Sequence, residues 1–115
     1  MAYDTHLEDR ISAVLKEKKI VFEAKKMMGG LCYMVDDKMC VGIIKNDLMC
    51  RVGAENYDEA LQEDYAEEMK FTGRPLKGFI LVEQEGIDLD DQLEYWIQKC
   101  LDYNPLAKSS KKKRK

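Results

Sequence analysis

Between Leu31 and Val52 the chain alternates short apolar runs with pairs of acidic or amide residues. The runs are Leu31–Val35, Met39–Ile44 and Leu48–Val52, and Asp36-Asp37 and Asn46-Asp47 separate them. Runs of Val, Ile, Tyr, Met and Cys broken by two-residue polar pairs predict a three-stranded antiparallel meander. Two-residue turns would set Val35 opposite Lys38, Tyr33 opposite Cys40, Lys45 opposite Leu48 and Ile43 opposite Cys50. On that register Cys32, Met34, Met39, Val41, Ile43, Cys50 and Val52 share one apolar face, expected to lie beneath helices. The other face carries Leu31, Tyr33, Val35, Cys40, Ile44 and Met49 with Lys38 and Arg51. It is too apolar for a fully solvated sheet, so a second layer or a second copy of the chain is expected against it.

The flanking patterns are helical before the meander and mixed after it. Thr5 and Glu8 have the spacing of a capping box, and Leu7, Ile11, Val14 and Leu15 form one stripe, predicting a helix over Thr5–Lys18. Ile20–Lys26 alternates weakly, as a short strand or extended linker, and Gly29-Gly30 allows a sharp turn or a close backbone approach. Gly53–Gln62 reads as a short helix with Tyr57, Ala60 and Leu61 inward. Ala66–Phe71 and Lys77–Val82 read as strands joined by the turn Thr72-Gly73-Arg74-Pro75. Asp88 is the expected cap of a last helix whose stripe is Leu89, Leu93, Trp96, Ile97, Cys100 and Leu101, and Asn104-Pro105 ends it. Helical spacing on one face assigns Trp96 to the core. The order helix, three-stranded meander, helix, two strands, helix is α+β. Residues 1–105 form one domain and 106–115 a basic disordered tail.

Charge sharpens that division. The chain has 19 basic and 22 acidic residues, a net of −3. Six of the basic residues, Lys108, Lys111, Lys112, Lys113, Arg114 and Lys115, fall in the last eight positions, which leaves 13 basic against 22 acidic in the body, a net of −9. Lys111, Lys112, Lys113, Arg114 and Lys115 suit weak, salt-sensitive, sequence-independent contact with nucleic acid. The acidic body and the absence of a helix-turn-helix pattern argue against specific DNA binding. No run reaches the ~18 apolar residues of a membrane span, and the N-terminus has no apolar leader core, so a cytoplasmic chain without membrane contact is expected.

Candidate chemistry is thin. Cys32, Cys40, Cys50 and Cys100 sit inside apolar runs without close pairs, and the one histidine, His6, lies far from them. They read as reduced, buried thiols in place of the paired ligands of structural zinc. Lys25, Lys26, Arg51, Arg74 and Lys77 could gather an anion but read as scattered solvated charges. Gly29-Gly30 precedes a strand, where phosphate loops precede a helix. No carboxylate pair is marked out for acid–base work. The sequence therefore predicts no enzyme, no catalytic or metal-binding residue and no cofactor.

Four segments in order carry a resemblance: Met27-Met28-Gly29-Gly30, the strands after it, Phe71-Thr72-Gly73-Arg74-Pro75-Leu76-Lys77-Gly78, and Leu93-Glu94-Tyr95-Trp96. Together they resemble the N-terminal domain of the TfoX/Sxy family over about Leu7 to Asn104, with Met28 where the family usually has Phe. The resemblance implies a fold of the kind seen in type III secretion chaperones. It also implies a link to the bacterial regulator of natural competence, a coactivator that works with a transcription factor. Full-length regulators carry a second, helical domain, and no residue-level active site comes with the resemblance. Combined with the apolar meander, it points to a small homodimeric adaptor that binds a transcription regulator or another protein. Tyr33, Cys40, Ile44, Met49 and Arg51 are the expected contact face, anchored by Tyr33 and Met49.

Overall fold

The computed structural model describes residues 5–27, 30–71 and 73–107. The elements run α1 (Thr5–Glu17), β1 (Glu23–Met27), β2 (Gly30–Val35), β3 (Lys38–Ile44), β4 (Asp47–Arg51), α2 (Ala54–Leu61), β5 (Ala66–Phe71), β6 (Arg74–Val82) and α3 (Asp90–Tyr103). Short 3₁₀ turns lie at Gln84–Gly86 and Asn104–Leu106. The strands form one antiparallel sheet in the order β1-β2-β3-β4-β6-β5. The protein is α+β as expected, with the weakly patterned stretch after α1 forming an edge strand.

Both meander turns rest on left-handed residues. Asp36 and Asp37 have φ of 55° and 64° and place Val35 opposite Lys38, the backbone that two-residue hairpins favour. The second turn is Lys45-Asn46 instead of Asn46-Asp47, because Ile44 pairs with Asp47 and Lys45 has φ 58°. Ile43 therefore faces Leu48 in place of Cys50. A slip of two residues leaves every side chain on its face.

A β-bulge has the larger effect. Met34 faces Met39, but Tyr33 faces Val41, which leaves Cys40 as an extra residue in β3. One extra residue inverts the phase of β2 relative to the expected pairing. The helix side of the sheet consequently collects Leu31, Tyr33 and Val35 with Cys40, Val41, Ile43, Leu48, Cys50 and Val52. Cys32, Met34, Met39, Ile44 and Met49 gather on the opposite side.

The three helices pack on that first side. α1 contributes Leu7, Ile11 and Leu15, α2 contributes Tyr57 and Ala60, and α3 contributes Leu93, Trp96, Ile97 and Cys100. Tyr33 hooks β2 to α1: its hydroxyl donates to the Glu8 carbonyl at 2.9 Å and lies 3.0 Å from Ser12 Oγ. Arg10–Asp90 and Lys18–Glu94 ion pairs, at 3.3 and 3.0 Å, bridge α1 to α3 at the surface, where each is worth ~0–1 kcal/mol. Two expected caps move. Thr5 is already helical, and the N-cap of α3 is Leu89, whose amide donates to Gln92 Oε1 at 2.9 Å. Asp88 instead offers its carbonyl to Arg10. Beyond α3, buried Asn104 donates from Nδ2 to the Val35 carbonyl at 3.2 Å and accepts Lys38 Nζ at its own carbonyl at 3.1 Å. Ala107 is buried, and its amide donates to the Asn104 carbonyl.

Candidate functional site

An antiparallel sheet covered on one side usually turns polar residues to the other. This sheet does not. Its second face buries Cys32, Met34, Met49 and Met69 among their own neighbours, ringed by the partly exposed Met39, Ile44, Leu76, Phe79 and Leu81. Among the described residues, none from α1, α2 or α3 joins that cluster. Its centre is kept low by Gly42: the Met49 methyl carbon lies 3.1 Å from where a Gly42 Cβ would stand, so the Met49 side chain lies across the bare backbone.

One cross-strand row runs through this centre. Lys25 pairs with Cys32, Cys32 with Gly42, Gly42 with Met49, Met49 with Leu81, and Leu81 with Glu67. Cross-strand partners share a face, so the row carries a lysine at the β1 edge, apolar residues across the middle and a glutamate at the β5 edge. Beside it, the Arg51 guanidinium lies 5.3 Å from the Phe79 ring centre and 5.9 Å from that of Tyr103, and donates to the Met39 carbonyl at 3.3 Å. Cation–π contact and this hydrogen bond fix its position.

The β4–β6–β5 end of the face is acidic. Glu83 has its carboxyl pushed up by a hydrogen bond with Glu67, by lost solvation and by the charges of Glu67 and Glu85. Asp47 is pushed up by partial burial and by the charges of Glu83 and Glu85. These raised carboxyls lie at the sheet rim. A separate solvent-open cleft of about 370 Å³, lined by Glu63, Asp64, Tyr65, Asp91, Tyr95 and Trp96 among others, lies at the start of α3, where the Tyr95 hydroxyl donates to Glu63.

The structure divides the expected contact face. Ile44, Met49 and Arg51 belong to the open side. Tyr33 and Cys40, 0% and 1% exposed, lie beneath the helices because the bulge inverted β2 and turned Cys40 inward. Lys38, also placed on that face, instead reaches the end of α3. The contributions of Met34, Met69, Phe79 and Leu81 were not anticipated. The alternation of Phe79 and Leu81 with Ile80 and Val82 is the signal that could have found two of them.

Several motif residues shape the backbone. A Cβ on Gly30 would fall on the Ile43 carbonyl oxygen, so only glycine fits there. Gly78, at φ 96°, offers one carbonyl to the amides of Val52 and Gly53 at 2.9 and 3.1 Å. Gly73 turns at φ 82° into open space, Arg74, Pro75 and Lys77 are exposed on β6, Met27 ends β1, and Trp96 lies in the core. Met28 and Gly29 lie outside the described residues, as do Lys111, Lys112, Lys113, Arg114 and Lys115. The cations considered for an anion site are not gathered: Lys25 and Lys26 alternate on an edge strand, and Arg51 is engaged with rings. All four cysteines are buried and free, and burial pushes the Cys32 thiol up to about 11 and raises Cys40 and Cys100 as well. Such thiols stay protonated and unreactive at neutral pH. No helix among the described residues is long and apolar enough to cross a membrane.

A family model described as the TfoX N-terminal domain matches residues 21–103. No curated protein and no solved structure matches the chain.

Proposed function

The chain belongs to the TfoX N-terminal domain family, and from that membership we propose that it is a non-enzymatic, cytoplasmic protein-interaction module with a regulatory role. The second sheet face carries this reading through its partly exposed apolar rim, Met39, Ile44, Leu76, Phe79 and Leu81. Contiguous apolar surface is seldom left in water on a soluble monomer and marks a contact site. Methionine suits that use because its unbranched, polarizable side chain adapts to different partners. Met39 stands partly exposed on this rim, beside the buried Met34, Met49 and Met69. Apolar area withdrawn from water there contributes about 25 cal/mol per Å² before the costs of association. The partner class is protein: a transcription regulator, in line with the competence link implied by the family resemblance, and a second copy of the chain.

The test is a reporter of competence-gene transcription in the source cell, with the native chain or an Ile44→Lys variant supplied in trans. Native chain should change reporter output, and the variant should not, while circular dichroism of the two remains alike. No response to the native chain, or an equal response to the variant, defeats the reading. The charge run at 111–115 favours a secondary activity, weak non-specific contact with nucleic acid. Gel shifts at two salt concentrations should lose a salt-sensitive component when residues 106–115 are removed, and unchanged shifts would eliminate it.

A further inference from the structure

We propose that the groove along the outer side of α3 is a docking site for the chain's own basic tail, residues 108–115. The contact does not depend on the reading of the sheet face. The tail lies outside the described residues; its sequence holds Lys108, Lys111, Lys112, Lys113, Arg114 and Lys115 and no acid. Two observations select the place: a groove of opposite charge, and the length of chain available to reach it.

α3 is two-sided. Leu93, Trp96, Ile97 and Cys100 are buried, and Asp91, Glu94, Tyr95 and Asp102 stand exposed on the outer side. A solvent-open groove of about 500 Å³ runs past Asp102, Glu94, Tyr95 and Asp91. It continues through Asp91 and Tyr95 into the 370 Å³ cleft at the start of α3, where Glu63 and Asp64 add their carboxylates. The two lysines on its walls are engaged: Lys18 pairs with Glu94 at 3.0 Å, and Lys99 lies 5.0 Å from the Tyr95 ring centre. Among the described residues, no cation pairs with Asp64, Asp91 or Asp102. Tyr65 and Tyr95 are 48% and 45% exposed beside these carboxylates. Aromatic faces next to acids suit lysine and arginine side chains, and Lys99 already uses Tyr95 in that way.

The tail leaves from the matching end of this groove. Ala107 is buried, and its amide donates to the carbonyl of Asn104, the C-cap of α3. From Asp102 back to Asp91 the helix rises ~17 Å. Eight extended residues reach ~26 Å, which leaves ~9 Å to bring the chain from Ala107 onto the groove. Each exposed ion pair is weak by itself. Tethering sets the effective concentration of the tail on the order of millimolar, so several weak pairs together hold it at low salt. A docked tail is an occupied one, and any nucleic acid that binds it must first displace the chain's own carboxylates.

Nuclear magnetic resonance of the full chain with a nitroxide attached at Lys115→Cys tests this. The four native thiols are buried, so the introduced thiol takes the label. At low salt the nitroxide should broaden the amide signals of Asp91 and Tyr95, and about 0.5 M salt should remove most of that broadening. Asp91→Lys with Asp102→Lys should abolish it. Asp58→Lys with Glu59→Lys, the same change of charge at exposed positions of α2, should leave it in place. If the reversed α3 pair loses its native spectrum, Asp91→Asn with Asp102→Asn replaces it, with a partial loss expected. Broadening that is absent at low salt, that survives the α3 changes, or that falls equally with the α2 changes overturns the proposal. A tail that only drifts about its tether, or answers only to net charge, gives those results. Mixing nitroxide-bearing chain with isotope-labelled chain that lacks the nitroxide identifies the source. Broadening passed to the second copy would assign the groove to a neighbour's tail and overturn docking within one chain; none is expected.

Discussion

Gly30 has no room for even a methyl group. The close backbone approach read from Gly29-Gly30 is realised at Gly30, which is buried against the Ile43–Ile44 backbone. Gly30→Ala must therefore move a strand, and the urea midpoint should report a loss of about 2–3 kcal/mol. Tyr57 presents the reverse case: it is buried, and among the described residues its hydroxyl has no hydrogen-bond partner. Tyr57→Phe should be neutral or stabilising by up to about 1 kcal/mol, since it removes an unpaired buried polar group without opening a cavity. A loss above that in denaturant titration would show that the hydroxyl is engaged. Tyr33 marks the limit of reading at this scale. Its aromatic ring suggested a contact anchor, but its role depends on Glu8 and Ser12, which are distant in sequence and reached only once α1 crosses β2.

At the scale of elements, the meander was legible because strand patterning has a period of two and its polar interruptions are short. The strand boundaries there differ from expectation by a residue or so. The bulge was hidden for a physical reason: the inserted residue, Cys40, is as apolar as its neighbours, so the hydrophobic pattern reads the same with or without it. Its consequence reaches beyond β3, because it decides which half of β2 faces the helices. β1 was faint because edge strands blunt themselves with charge, and Glu23, Lys25 and Lys26 do so here. The second turn leaves room for improvement. Lys45 holds φ 58° without the ease of glycine in that region, and Lys45→Gly should raise stability by about 0.5 kcal/mol. A lowered urea midpoint would mean that the lysine side chain contributes more than its backbone strain costs.

For the whole molecule, the open face was partly legible. Ile44, Met49 and Arg51 came from the meander itself, whereas Phe79, Leu81 and Met69 reach the face only because β6 pairs with β4, a long-range choice that no local pattern encodes. The acidic end of that face gives a pH dependence with a definite sign. Asp47 and Glu83 have folded carboxyl pKa values above their ordinary ones, so proton binding favours the folded chain. Their contribution is present at low pH and lost as pH rises through the raised values. The melting midpoint, measured where the protein is monomeric, should rise as pH falls from neutral toward those raised values, and Asp47→Asn with Glu83→Gln should flatten that rise. An equally steep rise in the double variant would place its origin elsewhere. The pairing of β6 with β4 also bears on biosynthesis. The apolar outer edge of β4 is translated roughly thirty residues ahead of the end of the strand that seals it. At ~5–20 residues per second, the nascent chain carries that raw edge for about 2–6 s, an interval in which a ribosome-associated chaperone has something to hold and a neighbouring polysome has something to stick to.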